Sequence, residues 1–273
     1  MAEYGEWNRK GATLKWLLLV PCLLLSGVSL GQVSEENAGV RIEPQPNQAV
    51  KPESSPDLAE AAADIVKRTN DFRRDQDRET LDVNPKLEET ARYFADFMAR
   101  TDRYGHRADG KSPAERASHH GYDFCMISEN IAYQFSSAGF ATEELVKTTV
   151  EGWKQSPGHR KNMLDPAVTE IGVALAYGEQ SGNYYAVQMF GRPQSMTIEF
   201  KVANNADVTV DYRIGDQTFP LPPRAIRTHR QCLASELSFQ WPGGQGSKTV
   251  QPNDGNRYSI ERDDAGQLRL DAG

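Results

Sequence analysis

Apolar positions along the chain change their period once the helical part ends. From Pro56 to Gln155 they recur three and four residues apart, the spacing that lays one stripe along a helix. Leu58, Ala61, Ala62, Ile65 and Phe72, with Thr69 in the series, form the first stripe, and Leu87, Ala91, Phe94, Ala95 and Met98 the second. Asn84 suits the N-cap of that second helix and Pro85 its first position. A third, shorter helix opens at Ser112, which stands in capping-box spacing to Glu115 with Pro113 between them. A fourth runs from Thr142 through "EELVKTTVEGWKQ" and buries Val146, Val150 and Trp153. "EIGVALAY" and "YYAVQMF" then predict two strands joined by "GEQSGN". Elements in this order predict helices packed over a mainly antiparallel sheet, ending near Pro193.

Beyond Pro193 the period falls to two. "MTIEFKV" sets Met196, Ile198, Phe200 and Val202 against Thr197, Glu199 and Lys201, the alternation of a half-buried strand. "VTVDYRI", "LSFQW", "RYSI" and "LRL" repeat it between turns at Gly215-Asp216, Pro242-Gly243-Gly244, Asn253-Asp254-Gly255 and Asp264-Ala265-Gly266. Residues 194–273 are therefore expected to form a small all-β domain, in which no constellation carries chemistry.

The N-terminus follows neither pattern. Arg9, Lys10 and Lys15 precede "WLLLVPCLLLSGVSL", an uncharged run of 15 residues, short of the roughly 20 that cross a bilayer. Small residues follow, so residues 1–31 are expected to be a cleaved secretory signal, with an uncleaved membrane anchor as the alternative. Residues 32–55 are polar, rich in Pro and Glu and without apolar periodicity, which predicts a disordered linker. The folded part then begins at residue 56.

Composition narrows the function classes. The 273 residues carry a net charge of −7, with 25% charged and 38% hydrophobic residues, and no run of Lys or Arg stands out. Binding to nucleic acid rests on cationic neutralisation of phosphates, so that class is set aside. Outside the signal, Cys125 and Cys232 remain. Export permits a disulfide between them, and two unpaired buried thiols are an equal alternative.

Candidate chemistry gathers in three segments. In "WKQSPGHRKNML", Pro157 ends the fourth helix near Gln155 and makes Ser156 the N-cap of a short new helix. Its hydroxyl is then expected to accept the backbone N–H of residue 158 or 159, which leaves no free nucleophile. His159 falls in the first turn, where the helix dipole favours the neutral imidazole, a form that binds metal or accepts a proton. "YGHRADGKSP" places His106 in a glycine-flanked loop, and "ISENIAYQF" places Glu129 at the entrance to a β-like or irregular run. Taken singly, His159 reads as a core histidine bonded to a carbonyl, His106 as a solvated loop residue and Glu129 as an ion-pair partner. His119 and His120 read as solvated surface, and His229 lies in the β tail.

Taken together, "IVKRTNDFRRDQDRETLDVNPKLEETARYFADFMA", "GH", "SPAERASHHGY", "SENIAYQF", "EGWKQSPGHRKNMLDPAVTEIGVALAYG" and "YYAVQMFG" resemble, in order and spacing, the bacterial branch of the CAP superfamily. That group comprises cysteine-rich secretory proteins, antigen 5 and pathogenesis-related proteins, and its domains are also called SCP domains. The likeness spans about residues 58 to 192. It implies an α+β fold, a three-layer α-β-α sandwich over 56–193, followed here by the small all-β domain. It also implies a cleft with two histidines and acidic residues that in some relatives bind a divalent metal such as zinc. His106 and His159 match the cleft histidines and would be the metal ligands, Glu129 matches the glutamate of the family's "GEN" motif, and Gln188 lies on the strand bordering the cleft. Asn70, Arg73 and Arg116 match positions that support the fold. Two departures weaken the metal: Ser156 stands where eukaryotic members carry a second glutamate, and Ser128 replaces the glycine before Glu129. The disulfides of the eukaryotic members are missing as well.

Two functions follow from the resemblance. In the first, the chain is a secreted or cell-envelope binding module whose cleft takes a small apolar or polar ligand, or a metal, while the β domain docks to an envelope or matrix component. Contact with a membrane would then require the signal to remain uncleaved. In the second, zinc on His106 and His159 activates water and Glu129 acts as general base in peptide or ester hydrolysis. Two histidines fall short of the three protein ligands usual for catalytic zinc, which favours binding over catalysis.

Overall fold

The computed structural model describes residues 55–244 and 246–273. The expected signal over 1–31, and the expected linker over 32–55 apart from its last residue, lie outside the described residues. Helix α1 (Leu58–Arg74) opens at Asp57, whose carboxylate accepts the N–H groups of Ala59 and Glu60, so that two of the four unpaired donors at the helix start are satisfied. Asn84 caps α2 (Pro85–Thr101) by accepting the N–H of Lys86. Ser112 and Glu115 close the capping box of α3 (Pro113–His119) from both sides. Helices α4 (Thr142–Gln155) and α5 (Pro157–Leu164) meet at Ser156.

Between the helices lies a four-stranded sheet in the order β1-β3-β4-β2. Strands β2 (Phe124–Phe135), β3 (Glu170–Tyr177) and β4 (Asn183–Pro193) pair antiparallel, and only the two-residue β1 (Asp82–Val83) runs parallel to its neighbour. Alternate side chains divide the sheet between two cores. Val173, Leu175, Tyr184, Ala186 and Phe190 pack with Ile65, Phe72, Val146 and Trp153 of α1 and α4. Ala174, Ala176, Tyr185, Val187 and Met189 pack with Leu87, Phe94 and Met98 of α2. The result is the α-β-α sandwich that the resemblance implies. Gly172 lets α2 approach the sheet, since a Cβ there would collide with the backbone of Leu87 and Glu88. The run holding Glu129 is a 12-residue strand, paired without interruption from Met126 onward after a register shift at its start, and it forms an edge of the sheet.

The C-terminal part is a two-sheet sandwich with the orders β10-β9-β6-β7 and β12-β11-β5-β8. The sequence pattern locates β5 (Ile198–Asn204), β6 (Val210–Ile214), β9 (Leu237–Gln240), β11 (Arg257–Arg262) and β12 (Leu268–Ala272). It misses β7 (Gln217–Leu221), β8 (Ile226–Gln231) and β10 (Ser247–Val250). Phe200, Val202, Tyr212, Phe239, Tyr258 and Ile260, drawn from both sheets, fill a third core.

A disulfide joins Cys125, at the start of β2, to Cys232, just after β8, which resolves the alternative left open by the sequence. The bridge closes a separation of 107 residues, worth about 4 to 5 kcal/mol where chain entropy alone is counted. Arg192 reinforces it by donating to the carbonyls of Cys232 and Ala167 at 3.1 and 3.2 Å. No helix among the described residues is long and apolar enough to cross a membrane.

Candidate functional site

The site lies along the free edge of β2, between the loop after α2 and the junction of α4 with α5. The loop bends at Gly105, whose φ of 134° is a conformation that side chains rarely adopt, and this bend delivers His106. The His106 Nδ1 lies 2.7 Å from Oε1 of Glu129. The other carboxylate oxygen accepts from Arg116, again at 2.7 Å. Arg116 and Glu129 are wholly enclosed, with side chains 0% and 1% exposed, whereas the His106 ring is 49% exposed.

Arg116 is held through both terminal nitrogens. It donates to Asp109 at 2.8 Å and to the carbonyls of Lys111 and His106, and it lies 3.5 Å over the ring of Phe94. A buried carboxylate needs a paired, hydrogen-bonded counter-charge, and this arginine supplies it. Because the paired carboxylate is an acceptor, His106 donates through Nδ1, and its ring stays half exposed. Arg116 therefore does more than the structural support implied by the resemblance: it fixes the group that orients His106.

His159 enters from α5. Asn130 and Asn162 hold that helix against β2: Asn130 donates to the His159 carbonyl at 3.2 Å, and Asn162 donates to the Glu129 carbonyl and to Asn130. The His159 ring itself bonds neither to Glu129 nor to His106, and its two nitrogens have no protein partner among the described residues. Burial first, and the neighbouring His106 second, lower the proton affinity of His159 below that of an ordinary imidazole. The ring is therefore neutral near pH 7, through burial and His106 rather than through the helix dipole that the sequence suggests.

Ser156 requires a correction. It occupies the N-cap position of α5 with Pro157 first in the helix, as the sequence predicts, yet its side chain makes no capping hydrogen bond. The hydroxyl instead lines a hollow of about 230 Å3 beside His159. The backbone carbonyl of Ser156 still accepts the N–H of Arg160 at 2.8 Å, so the helix starts without help from the hydroxyl.

Gln188 is a second correction. It pairs across the sheet with Asn130, one register step from the Glu129–Met189 pair, and so faces the side opposite Glu129. Its side chain is fully buried, donating to Thr69 and accepting from Asn130. Both ends of the amide are used within the protein, and Gln188 is a strut behind the cleft rather than part of its lining.

Asn70 and Arg73 support the fold as the resemblance implies. Asn70 exchanges two bonds with the backbone of Leu81, and Arg73 caps the carbonyls of Met163 and Asp165 at the end of α5. His120 departs from a solvated surface: it packs at a tilt against Tyr93, with ring centroids 5.2 Å apart, and its Nε2 is buried. His229 is bonded to the Tyr212 hydroxyl at 2.6 Å.

Zinc or another divalent ion, implied by the resemblance, calls for at least three protein ligands in most sites. Both Glu129 oxygens are engaged by His106 and Arg116, and Ser156 offers a hydroxyl where a second acid would stand. Among the described residues no three His, Cys, Asp or Glu side chains are grouped so that they can share an ion. The residues present do not fit a resident metal.

The match to known proteins falls on this same stretch. The model of the cysteine-rich secretory protein family, CAP, matches residues 66–190, which include His106, Glu129 and His159. Over these residues, just under half of the chain, the protein is similar to the CAP superfamily. The protein YkwD of Bacillus subtilis is 31% identical over 129 residues, covering 47% of this chain. The chain spans about half of that relative's length, 46%. Among solved structures, the chain is similar to an outer surface protein of Borrelia burgdorferi, at 18% identity and a TM-score of 0.45, over 50% of this chain and 96% of that one. It is also similar to an extracellular protein with an SCP domain from Bacillus anthracis, at 23% identity and a TM-score of 0.42, over 50% and 41% of the two chains.

Proposed function

We propose that this bacterial-type CAP protein works outside the cytoplasm as a binding module, whose cleft holds a small molecule against the His106 and His159 imidazoles. The observation that carries this reading is the division of labour in the site. Every charged group of the cleft wall is consumed by another protein group, while the half-exposed ring of His106 and the His159 ring are left for something else. Such a wall positions a ligand and supplies hydrogen bonds of low cost. Hydrolysis receives less support, because a general base needs a carboxylate within reach of water, and Glu129 is enclosed with both oxygens engaged. Export is supported by the basic residues and apolar run at the N-terminus and by the Cys125–Cys232 bridge, a bond that persists in oxidising compartments.

Native mass spectrometry of the full chain, purified without denaturant, followed by thermal-shift screening, tests the proposal. A ligand at a hundred times its Kd stabilises the protein by about 2.7 kcal/mol. That gain should disappear in both His106→Ala and His159→Ala. A gain that survives in both variants, or no ligand in either experiment, contradicts the reading.

A further inference from the structure

We infer that the hollow beside His159 receives one pyranose ring of a neutral sugar, an inference that deepens the binding reading above and rests on it. Size is the first argument. At about 230 Å3 the hollow is smaller than the roughly 300 to 1,000 Å3 that take drug-sized molecules, so it suits a single ring and excludes a long acyl chain or a fused polycycle.

Charge is the second argument. None of the residues lining the hollow is Asp, Glu, Lys or Arg, and the Glu129 charge behind it is paired with Arg116. An anionic or cationic ligand would lose its hydration there without gaining a counter-ion.

The polar groups supply the third argument. The hydroxyl of Thr149 is buried and has no partner, an exception to the near-complete pairing of buried polar atoms. Ser156 makes no capping bond, and the His159 ring has no protein partner among the described residues. Ser156 and His159 line the hollow with partly exposed side chains, and Thr149 borders it with its hydroxyl enclosed. Each hydroxyl both donates and accepts, and a neutral imidazole does one of each. The complementary ligand carries several groups that also do both, which is the chemistry of a polyol.

Aromatic walls distinguish a ring from an open-chain polyol. Tyr104 and Tyr133 meet edge to face, with centroids 5.0 Å apart, and remain 46% and 51% exposed. Trp153 also borders the hollow, and with its Nε1 donated to the Ile131 carbonyl at 3.2 Å it offers no free N–H. A pyranose presents an apolar C–H face and a rim of hydroxyls. The C–H face would lie against the tyrosines and the rim would reach Ser156 and His159.

The test is saturation-transfer NMR on the full chain with methyl β-glucopyranoside, N-acetylglucosamine and the N-acetylglucosamine tetramer as probes. Decanoate and inorganic phosphate serve as apolar and anionic comparisons, and the imidazole signals of His106 and His159 are followed in parallel. Transfer should reach the ring C–H protons of a pyranoside. Ser156→Ala, which removes a hydroxyl that makes no capping bond and so keeps the fold, should weaken that binding about five- to tenfold. Tyr133→Ala, at an exposed position, should weaken it similarly. Tighter binding of the tetramer than of the monomer would mark a polysaccharide as the source, and equal binding a free sugar; either supports the inference. No transfer to any of the three sugars, or binding indifferent to both substitutions, overturns it. If decanoate or phosphate alone moves the imidazole signals, the sugar inference falls and the binding reading stands. If no compound moves them, both fall.

Discussion

The α-β-α region and the β sandwich each enclose a histidine among aromatic rings, and the two histidines end in opposite situations. His229 lies within 5.1 to 5.7 Å of the Phe200, Tyr212 and Phe219 rings and is bonded to the Tyr212 hydroxyl. His159 stands beside a hollow with its ring unpaired. Burial lowers the proton affinity of both, with Arg227 adding to the effect at His229 and His106 at His159. A perturbed imidazole therefore does not by itself mark a site. An unpaired ring, next to an unpaired buried hydroxyl and a space large enough for a molecule, does.

The contrast is broken most severely by removing the buried counter-charge of the α-β-α region. Arg116→Met would leave Asp109 and Glu129 enclosed without their arginine counter-charge, and loss of one member of a buried pair costs about 3 to 5 kcal/mol. Urea unfolding should show a loss of that size, whereas Arg230→Met, which removes an exposed pair with Glu199 in the sandwich, should cost no more than about 1 kcal/mol. Equal losses would mean that the Arg116 network is not the frame of the cleft.

A smaller effect separates the two serines at helix starts. Ser112→Ala breaks a complete capping box and should cost about 0.5 to 2 kcal/mol. Ser156→Ala breaks no capping bond and should stay within about 0.5 kcal/mol. A large loss at Ser156 would return its hydroxyl to the backbone and remove it from the hollow.

The smallest effect is the response to pH. Both His159 and His229 have folded-state affinities below the ordinary imidazole value of 6.5, so the unfolded chain takes up protons first as the pH falls. Their contribution to stability is whole above that value and declines below it. The melting temperature should fall between pH 7 and about pH 5, where carboxylates begin to dominate. His159→Gln and His229→Gln should each flatten the slope. A slope of opposite sign, or one unchanged in both variants, contradicts the assignment.

Legibility in the sequence follows the same division between groups that pack and groups that do not. The helices of the α-β-α layer announce themselves through stripes and caps, because Leu87, Phe94 and Met98 are buried at the period of the helix. The three strands missed by the pattern, β7, β8 and β10, are all sheet edges. Thr228 and Arg230, like Lys248, keep to the rim of the sandwich, and Pro220 interrupts the alternation of β7. Such strands are held by a backbone ladder that leaves little trace in side-chain period.

In the site, His106, Glu129 and His159 were visible through the resemblance, and Gln188 was misplaced because a strand's register, not its nearness to a cleft, decides which face a side chain takes. The roles of Arg116, Asn130 and Asn162 were not visible, since each depends on contacts between segments far apart in the chain. A partial signal exists: Asn130 directly follows Glu129, and Asn162 lies one helical turn beyond His159.

The central claim is that Arg116, through Glu129, holds His106 with Nδ1 protonated and the ring half exposed. Long-range proton–nitrogen NMR correlation of the imidazole rings at pH 7.5 tests it most directly. Nδ1 of His106 should carry a proton and donate it in a hydrogen bond to Glu129. The reverse tautomer, or a freely exchanging mixture of the two, would contradict it.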